Sequence, residues 1–415
     1  MTLTSQTIVK PSNKYYGLFD EFCFKAKNLY NAALYRLREA YFEHDAAMTY
    51  NSLDKVLKRE GNVDYRAMPM ASSAQWTLQT VCKAWKSFWK SISAYSKNPE
   101  KFLGRPRMPG YLHKTKGRSI VYLTNQNVKV KDGILHFPKC FDGFSIPINL
   151  SNDDIQQVRI VPKNRHFVVE VVYKTQDVPL KNGNSFYLGV DLGVDNFAAV
   201  VSNDGSNPVL INGKGLKSLN KHWNKRIAHL REVETAMNGY EIFTKTSKTK
   251  VSNQTKQQTV LTNKRNNQVK DFCHKASKMA VDLALARGCN TIVVGKNIGW
   301  KQESKMSKLA NQSFVQIPYA VFINMLEYKC QRQGLNFISV DEAHTSKTSW
   351  LDGEEPKHHE QYVGMRVKRG LFRSADGTRI NADVNGAMQI VRKVFPNAKA
   401  DGVWAYGQPL RVNII

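Results

Sequence analysis

Apolar positions recur at helical spacing from about residue 14 to 43, where Phe19, Phe22, Cys23, Ala26, Leu29, Tyr30 and Ala33 mark one face. A second helix is expected after Pro69, between Ser72 and Tyr95. Its apolar stripe is Trp85, Phe88, Trp89 and Ile92, flanked by Lys83, Lys86 and Lys90. Core packing is expected for the aromatics ahead of base stacking, and the flanking lysines are candidates to meet phosphates. Between Gly104 and Ser119 the pattern is broken by proline and glycine. This basic connector carries Arg105, Arg107, Lys114, Lys116 and Arg118. From Ser119 to Thr175 the period falls to two, with an Asp132-Gly133 turn and a second hairpin across residues 158–173, which predicts a small β domain.

A third region opens at Ser185 with two β-rich runs reaching Gly205, then a strand-like segment at 209–213. Helices are expected at Lys217 to Glu234, Asn263 to Arg287, about Tyr319 to Arg332, and from Asn381 onward. Apolar strands are expected at 291–295 and 337–340. Strands alternating with helices after a β-meander predict an α/β domain with a mixed sheet. The polar, basic stretch from Glu241 to Thr259 lacks apolar periodicity and reads as a flexible excursion.

Charge sharpens the picture. The 415 residues hold 61 Lys+Arg against 34 Asp+Glu, a formal +27, so a polyanion is the expected partner. No run approaches the ~20 apolar residues of a membrane span, and the first residues lack a signal-peptide pattern, so a soluble, intracellular protein without a membrane partner is expected. The six cysteines stand alone, with no Cys-x-x-Cys pair, and read as reduced, mostly buried thiols.

The chemistry rests on carboxylates. Asp191 ends an apolar strand, where a carboxylate must be paired, hydrogen-bonded or metal-bound to offset its desolvation. Asp195 reads as a turn residue. Asp383 stands at the start of the last helix, where it or Asn381 would otherwise serve as an N-cap. Glu342 follows the strand at 337–340, with Asp341 as its competitor. Three such acids brought together suit two Mg²⁺ ions about 3.5–4 Å apart in phosphodiester cleavage. Oxygen ligands favour magnesium over zinc.

In order, NLYNAALY, GVDLGVDNFAAV, VVGKNIGWKQ, DEAHTSKTSWLDGE and KRGLFRSADGTRINADVNGA make the chain resemble the TnpB family, transposon-encoded RNA-guided DNA endonucleases related to type V CRISPR effectors. The resemblance implies a multidomain α+β protein. A small β-barrel-like wedge domain (1–13 and 111–180) would hold an inserted helical recognition domain (14–110). An RNase H-like (RuvC) α/β nuclease domain with a mixed sheet (185–344 and 378–398) would follow, interrupted by a zinc-ribbon-like insertion (345–377) and ending in a tail (399–415). It also implies a guide RNA from the transposon end, a double-stranded DNA target beside a short motif, two Mg²⁺ ions, and a prokaryotic cytoplasm and nucleoid as location.

By the resemblance, Asp191 and Asp383 match the first and third catalytic acids. The second departs: the glutamate expected after the strand at 291–295 is replaced by Gly295 and Lys296. Glu342 takes its place if the strand at 337–340 lies beside that of Asp191. The family's zinc-binding cysteine pairs fall at Ser349 and Asp352 and at Arg373 and Asp376, so no structural zinc is expected. Arg366, Lys368 and Arg369 make this insertion basic enough to touch substrate, and Lys301 and Gln302 join the nucleic-acid candidates. The missing acid leaves a nuclease-inactive, RNA-guided repressor as the alternative. The oligomeric state is left open.

Overall fold

The lead-in forms a strand, β1 (Thr2–Val9), because its partner is a long alternating strand far along the chain, β7 (His166–Lys174). The computed structural model describes residues 1–44, 48–181, 186–238, 255–296, 308–398 and 407–414. Two units are distinguished, Met1–Gln176 and Asp177–Ile415. In the first, β1 is followed by helices α1 (Tyr16–His44), α2 (Tyr50–Arg59), α3 (Val63–Arg66) and α4 (Ala71–Lys97). Strands β2 (Val121–Thr124), β3 (Lys129–Lys131), β4 (Ile134–His136), β5 (Ser145–Pro147), β6 (Ile155–Lys163) and β7 (His166–Lys174) complete it. They form an antiparallel sheet ordered β1-β7-β6-β2 and a β3-β4-β5 meander.

Helical periodicity buries Phe19, Cys23, Leu29 and Leu34 of α1 in one core with Leu78, Val81 and Trp85 of α4 and Val158, Ile160 and Val169 of the sheet. The Asp132-Gly133 hairpin forms as expected, with φ of 51° and 71°. Helix α2 escapes the sequence pattern because only Leu53 and Leu57 are buried along its ten residues. Its start is fixed instead by Thr49, whose side chain accepts the Ser52 N–H.

The second unit contains β8 (Tyr187–Leu192), β9 (Asn196–Ser202), β10 (Val209–Asn212), α5 (Lys214–Asn238), α6 (Lys256–Ala286) and β11 (Thr291–Gly295). It continues with α7 (Lys308–Val315), α8 (Tyr319–Arg332), β12 (Asn336–Val340), β13 (Met365–Lys368), β14 (Leu371–Arg373), β15 (Arg379–Ile380), α9 (Ala382–Val394) and β16 (Leu410–Val412). The main sheet is ordered β12-β11-β8-β9-β10-β16. Strands β12, β11 and β8 run parallel, β9 is antiparallel to both β8 and β10, and β16 joins β10 in parallel. The mixed sheet is thus as expected. Two details differ: β11 lies between β12 and β8, and part of the expected tail is a sixth strand. Of the expected excursion, residues 241–254 lie outside the described residues. Residues 256–259 begin α6, behind a Thr255 cap that accepts the Gln258 N–H.

The two-residue period of β8 decides which face carries chemistry. Leu188, Val190 and Leu192 join the core formed with α6 and α8. Gly189 and Asp191 therefore point to the opposite face, where Val384, Ala387 and Met388 of α9 pack with Ala199, Val201, Leu210 and Trp350. A Cβ on Gly189 would lie 2.4 Å from the Ala387 carbonyl oxygen and 2.6 Å from Val391 Cγ2, so this glycine sets how closely α9 lies on the sheet. Gly189→Ala is expected to cost about 1–3 kcal/mol in a urea melt, because the clash is with backbone. An unchanged midpoint would contradict this packing.

Candidate active site

Asp191, Glu342 and Asp383 come together at the end of the main sheet where β8, β11 and β12 finish, the usual position for ligands on parallel strands. Asp191 projects at α9. A Cβ on Gly386 would sit 2.9 Å from its Oδ2, so the missing side chain on the helix makes room for the carboxylate. Glu342 lies two residues past β12 and crosses the end of β11. A Cβ on Gly295 would meet its Oε2 at 2.9 Å and its Cβ at 3.2 Å. Gly295, standing where the resemblance expects an acid, is thus the gap through which Glu342 reaches inward. Asp341 is exposed, and its carbonyl oxygen accepts a hydrogen bond from Lys393 Nζ at 2.9 Å.

The cap at α9 is Asn381, whose Oδ1 accepts the N–H groups of Asp383 (2.9 Å) and Val384 (3.3 Å). Asp383 is thereby left for the cleft. Its Oδ2 accepts from Asn196 Nδ2 at 2.8 Å, and its Oδ1 faces Arg366 Nη2 at 3.8 Å. Asn196 was not visible as a site residue in sequence. It lies one residue after Asp195, at the start of β9, and only the sheet brings it to Asp383.

Asp191 is perturbed by the other two acids. Burial pushes Asp191 well above the usual carboxylate range, with the Glu342 and Asp383 charges adding to the rise and Arg366 opposing it. Burial and Asp341 push Glu342 up to about 7, against Lys393. Burial also raises the phenol of Tyr319, helped by Asp191 and Glu342. Its hydroxyl donates to the Gly193 carbonyl at 2.8 Å.

Among the described residues no three His, Cys, Asp or Glu side chains are grouped to hold one metal ion. Asp383 is engaged instead by Asn196 and Arg366, and like charges among the acids repel one another when ionised. The donors nevertheless fit Mg²⁺: all are hard carboxylate oxygens, and divalent charge would relieve the same repulsion.

A cleft of about 420 Å³ beside Asp383 is lined by Asp195, Asn196, Lys214, Arg366, Arg369 and Arg411, among others. Arg411 comes from β16. Burial raises Asp195, but its ion pairs with Lys217 (3.0 Å) and Arg369 (2.7 Å) outweigh this and hold it below the usual range. The expected turn acid is therefore an anchor for the basic rim.

Of the other nucleic-acid candidates, Lys83, Lys86 and Lys90 are exposed on one face of α4. Arg105, Arg107, Lys114 and Lys116 are also exposed. Arg118 has an internal partner instead: Nε and Nη2 each donate to Asp20 at 2.7 Å. Lys301 and Gln302 lie outside the described residues. No helix among the described residues is long and apolar enough to cross a membrane.

The insertion is joined by hydrogen bonds at the positions where the resemblance expects cysteines. Both Asp352 oxygens accept the Ala375 N–H, at 3.1 and 3.2 Å, linking the turn at Ser349 to that at Ser374. Asp376 accepts from Ser374 Oγ and from the Thr378 N–H. Arg373 is exposed on β14. The insertion docks on α9 through Asn385, which accepts the Trp350 N–H and donates to the Thr348 carbonyl, and Gln389, which donates to the Glu354 carbonyl.

A carboxyl raised from 4.5 to about 7 opposes folding as it ionises. Below 4.5 it is protonated in both states. Between 4.5 and about 7 the unfolded state loses the proton first, so stability falls as pH rises. Glu342→Gln in chelator should therefore raise the melting temperature at pH 8 and leave it nearly unchanged at pH 4. A difference independent of pH would contradict the raised value.

Two family models match the chain: OrfB_IS605, described as a probable transposase, over residues 166–301, and the Cas12f1-like TNB domain over 319–390. No curated protein matches. Among solved structures, one titled a Cas12f1–sgRNA–target DNA complex is similar at 17% identity and TM-score 0.35, over 94% of this chain and 98% of that one. The mini-RNA-guided endonuclease CRISPR-Cas_phi3 is similar at 12% identity and TM-score 0.48, over 97% of this chain and 93% of the other. The two family matches, which follow one another between residues 166 and 390, support a TnpB-like protein.

Proposed function

We propose that the protein is an RNA-guided, Mg²⁺-dependent DNA endonuclease that cuts target DNA beside a short adjacent motif. The observation that carries the reading is the approach of Asp191, Glu342 and Asp383 at one sheet end, next to a cleft rimmed by Arg366, Arg369, Lys214 and Arg411. The strand order β10-β9-β8-β11-β12, with β9 antiparallel, supports an RNase H-like (RuvC) frame for these acids. The first unit would act as the wedge and recognition part, and residues 345–377 as a ribbon-like insertion without metal. A guide RNA would supply sequence choice by base pairing, leaving the protein to read a short duplex motif.

Magnesium bound by Asp191, Glu342 and Asp383 would supply an activated water and charge stabilisation at the leaving oxygen. Asn196 holds the Asp383 carboxylate in orientation, and Asn381 satisfies the helix N-terminus so that Asp383 is not consumed as a cap. The basic rim would hold the phosphate backbone over the acids. Gly295, an acid in the resemblance, favours a second reading: a repressor that binds by guide RNA without cutting.

The test is purification with co-expressed RNA followed by cleavage of a matched plasmid. The parent should cut only with Mg²⁺, and Asp191→Ala should lose at least about a hundredfold in rate. Glu342→Ala should lose as much and Asp341→Ala little, if Glu342 is the second acid. Equal inactivity of parent and Asp191→Ala, with guided binding intact, would leave the repressor.

A further inference from the structure

Asp383 has two oxygens with unlike partners. Oδ2 is held by Asn196 Nδ2 at 2.8 Å, a well-formed hydrogen bond between two part-buried groups. Oδ1 faces the Arg366 guanidinium at 3.8 Å, a loose pair whose arginine side chain is 44% exposed. Arg369, three residues on, is held more tightly, at 2.7 Å from Asp195, which also binds Lys217. The two arginines share a hairpin, yet one is anchored and the other weakly placed. The β13–β14 ladder shifts in register between Arg366 and Lys368, which interrupts the ladder at that point. Arg366 also opposes the burial and the carboxylate charges that raise Asp191, so its charge acts on two of the three acids.

We infer that Arg366 is an internal counter-cation for the acidic pocket: it pairs with Asp383 while divalent ions are absent, and passes to a substrate phosphate when they enter. The role rests on the proposed seating of divalent ions by the three acids. A cation this close to Asp383 disfavours an incoming divalent ion by simple repulsion. Once the ion is seated, the same guanidinium is repelled from the pocket and becomes available for the bidentate phosphate contact that arginine makes well. Loose pairing suits such a transfer, because little has to be broken. Arg366 is thus a positioning residue that delays metal entry until the nucleic-acid backbone offers its guanidinium another anion.

The full chain, freed of nucleic acid, is titrated with Mn²⁺ alone and free Mn²⁺ is read by its paramagnetic resonance signal. Arg366→Met is expected to bind Mn²⁺ on the order of tenfold more tightly than the parent, because one repelling charge is gone. Arg366→Lys, which keeps the charge, is expected to bind as the parent does, and Asp383→Asn to lose binding in the pocket. Arg366→Met binding no more tightly than the parent, while Asp383→Asn loses binding, would overturn the counter-cation role and leave the acid site standing. Parent-like binding by both Asp383→Asn and Asp191→Asn would overturn the acid site and the inference with it. Thermal melts of each variant confirm folding, and the exposed position of Arg366 makes its replacement tolerable.

Discussion

The second unit depends on one helix lying directly against a glycine of one sheet strand. Gly189 removes the side chain that would hold α9 off β8, and Ala387 and Val391 fill the space. The same closeness brings like charges together. Asp191 looks at the helix that carries Asp383, and the gap left by Gly386 receives its carboxylate. Gly295, against Ile390 Cδ1 at 2.6 Å for an added Cβ, extends the pattern to the next strand and opens the route for Glu342. Glycines on the sheet and helix thus act as notches, and each notch serves either packing or an acid.

Gathering carboxylates in a half-buried site is unfavourable in the metal-free protein, and the surrounding structure compensates. Arg366 and Lys393 lower the local negative potential, Asn196 fixes one oxygen of Asp383, and Asn381 serves the helix terminus. Helix α9 has a separate task on each side: Asp383 and Gly386 serve the acids, while Asn385 and Gln389 hold the insertion that carries Arg366 and Arg369. A displacement of this helix would move acids and basic rim together. That coupling explains why the insertion can do without cysteine pairs and still be well placed. Asp352, Asp376 and Glu354 link its turns by accepting backbone N–H groups.

Much of this was legible in the residues. Long helices announced themselves through stripes such as Phe19–Cys23–Ala26 and Val269–Phe272–Cys273, because each buries one continuous face. Asp191 stood out because an acid interrupts an apolar run, whereas Asp383 stood out only in combination with the other two acids, since either it or Asn381 could have been the helix cap. What sequence did not carry was lateral order. Glu342 was expected to reach the site from a strand beside β8, whereas β11 intervenes, and only the registers reveal that Gly295 lets it pass. Asn196 and Arg411 were missed for the same reason: their relevance comes from strands brought together across the sheet. Short α2, with two buried anchors, lacked a stripe to read.

The central claim is that Asp191, Glu342 and Asp383 share divalent ions. Anomalous diffraction from crystals of the full chain soaked in Mn²⁺ tests it most directly. The account predicts metal peaks held jointly by the three carboxylates, with Glu342 oriented through the gap at Gly295. Peaks bound by Asp191 or Asp383 alone, with the Glu342 carboxyl facing away from them, would contradict it.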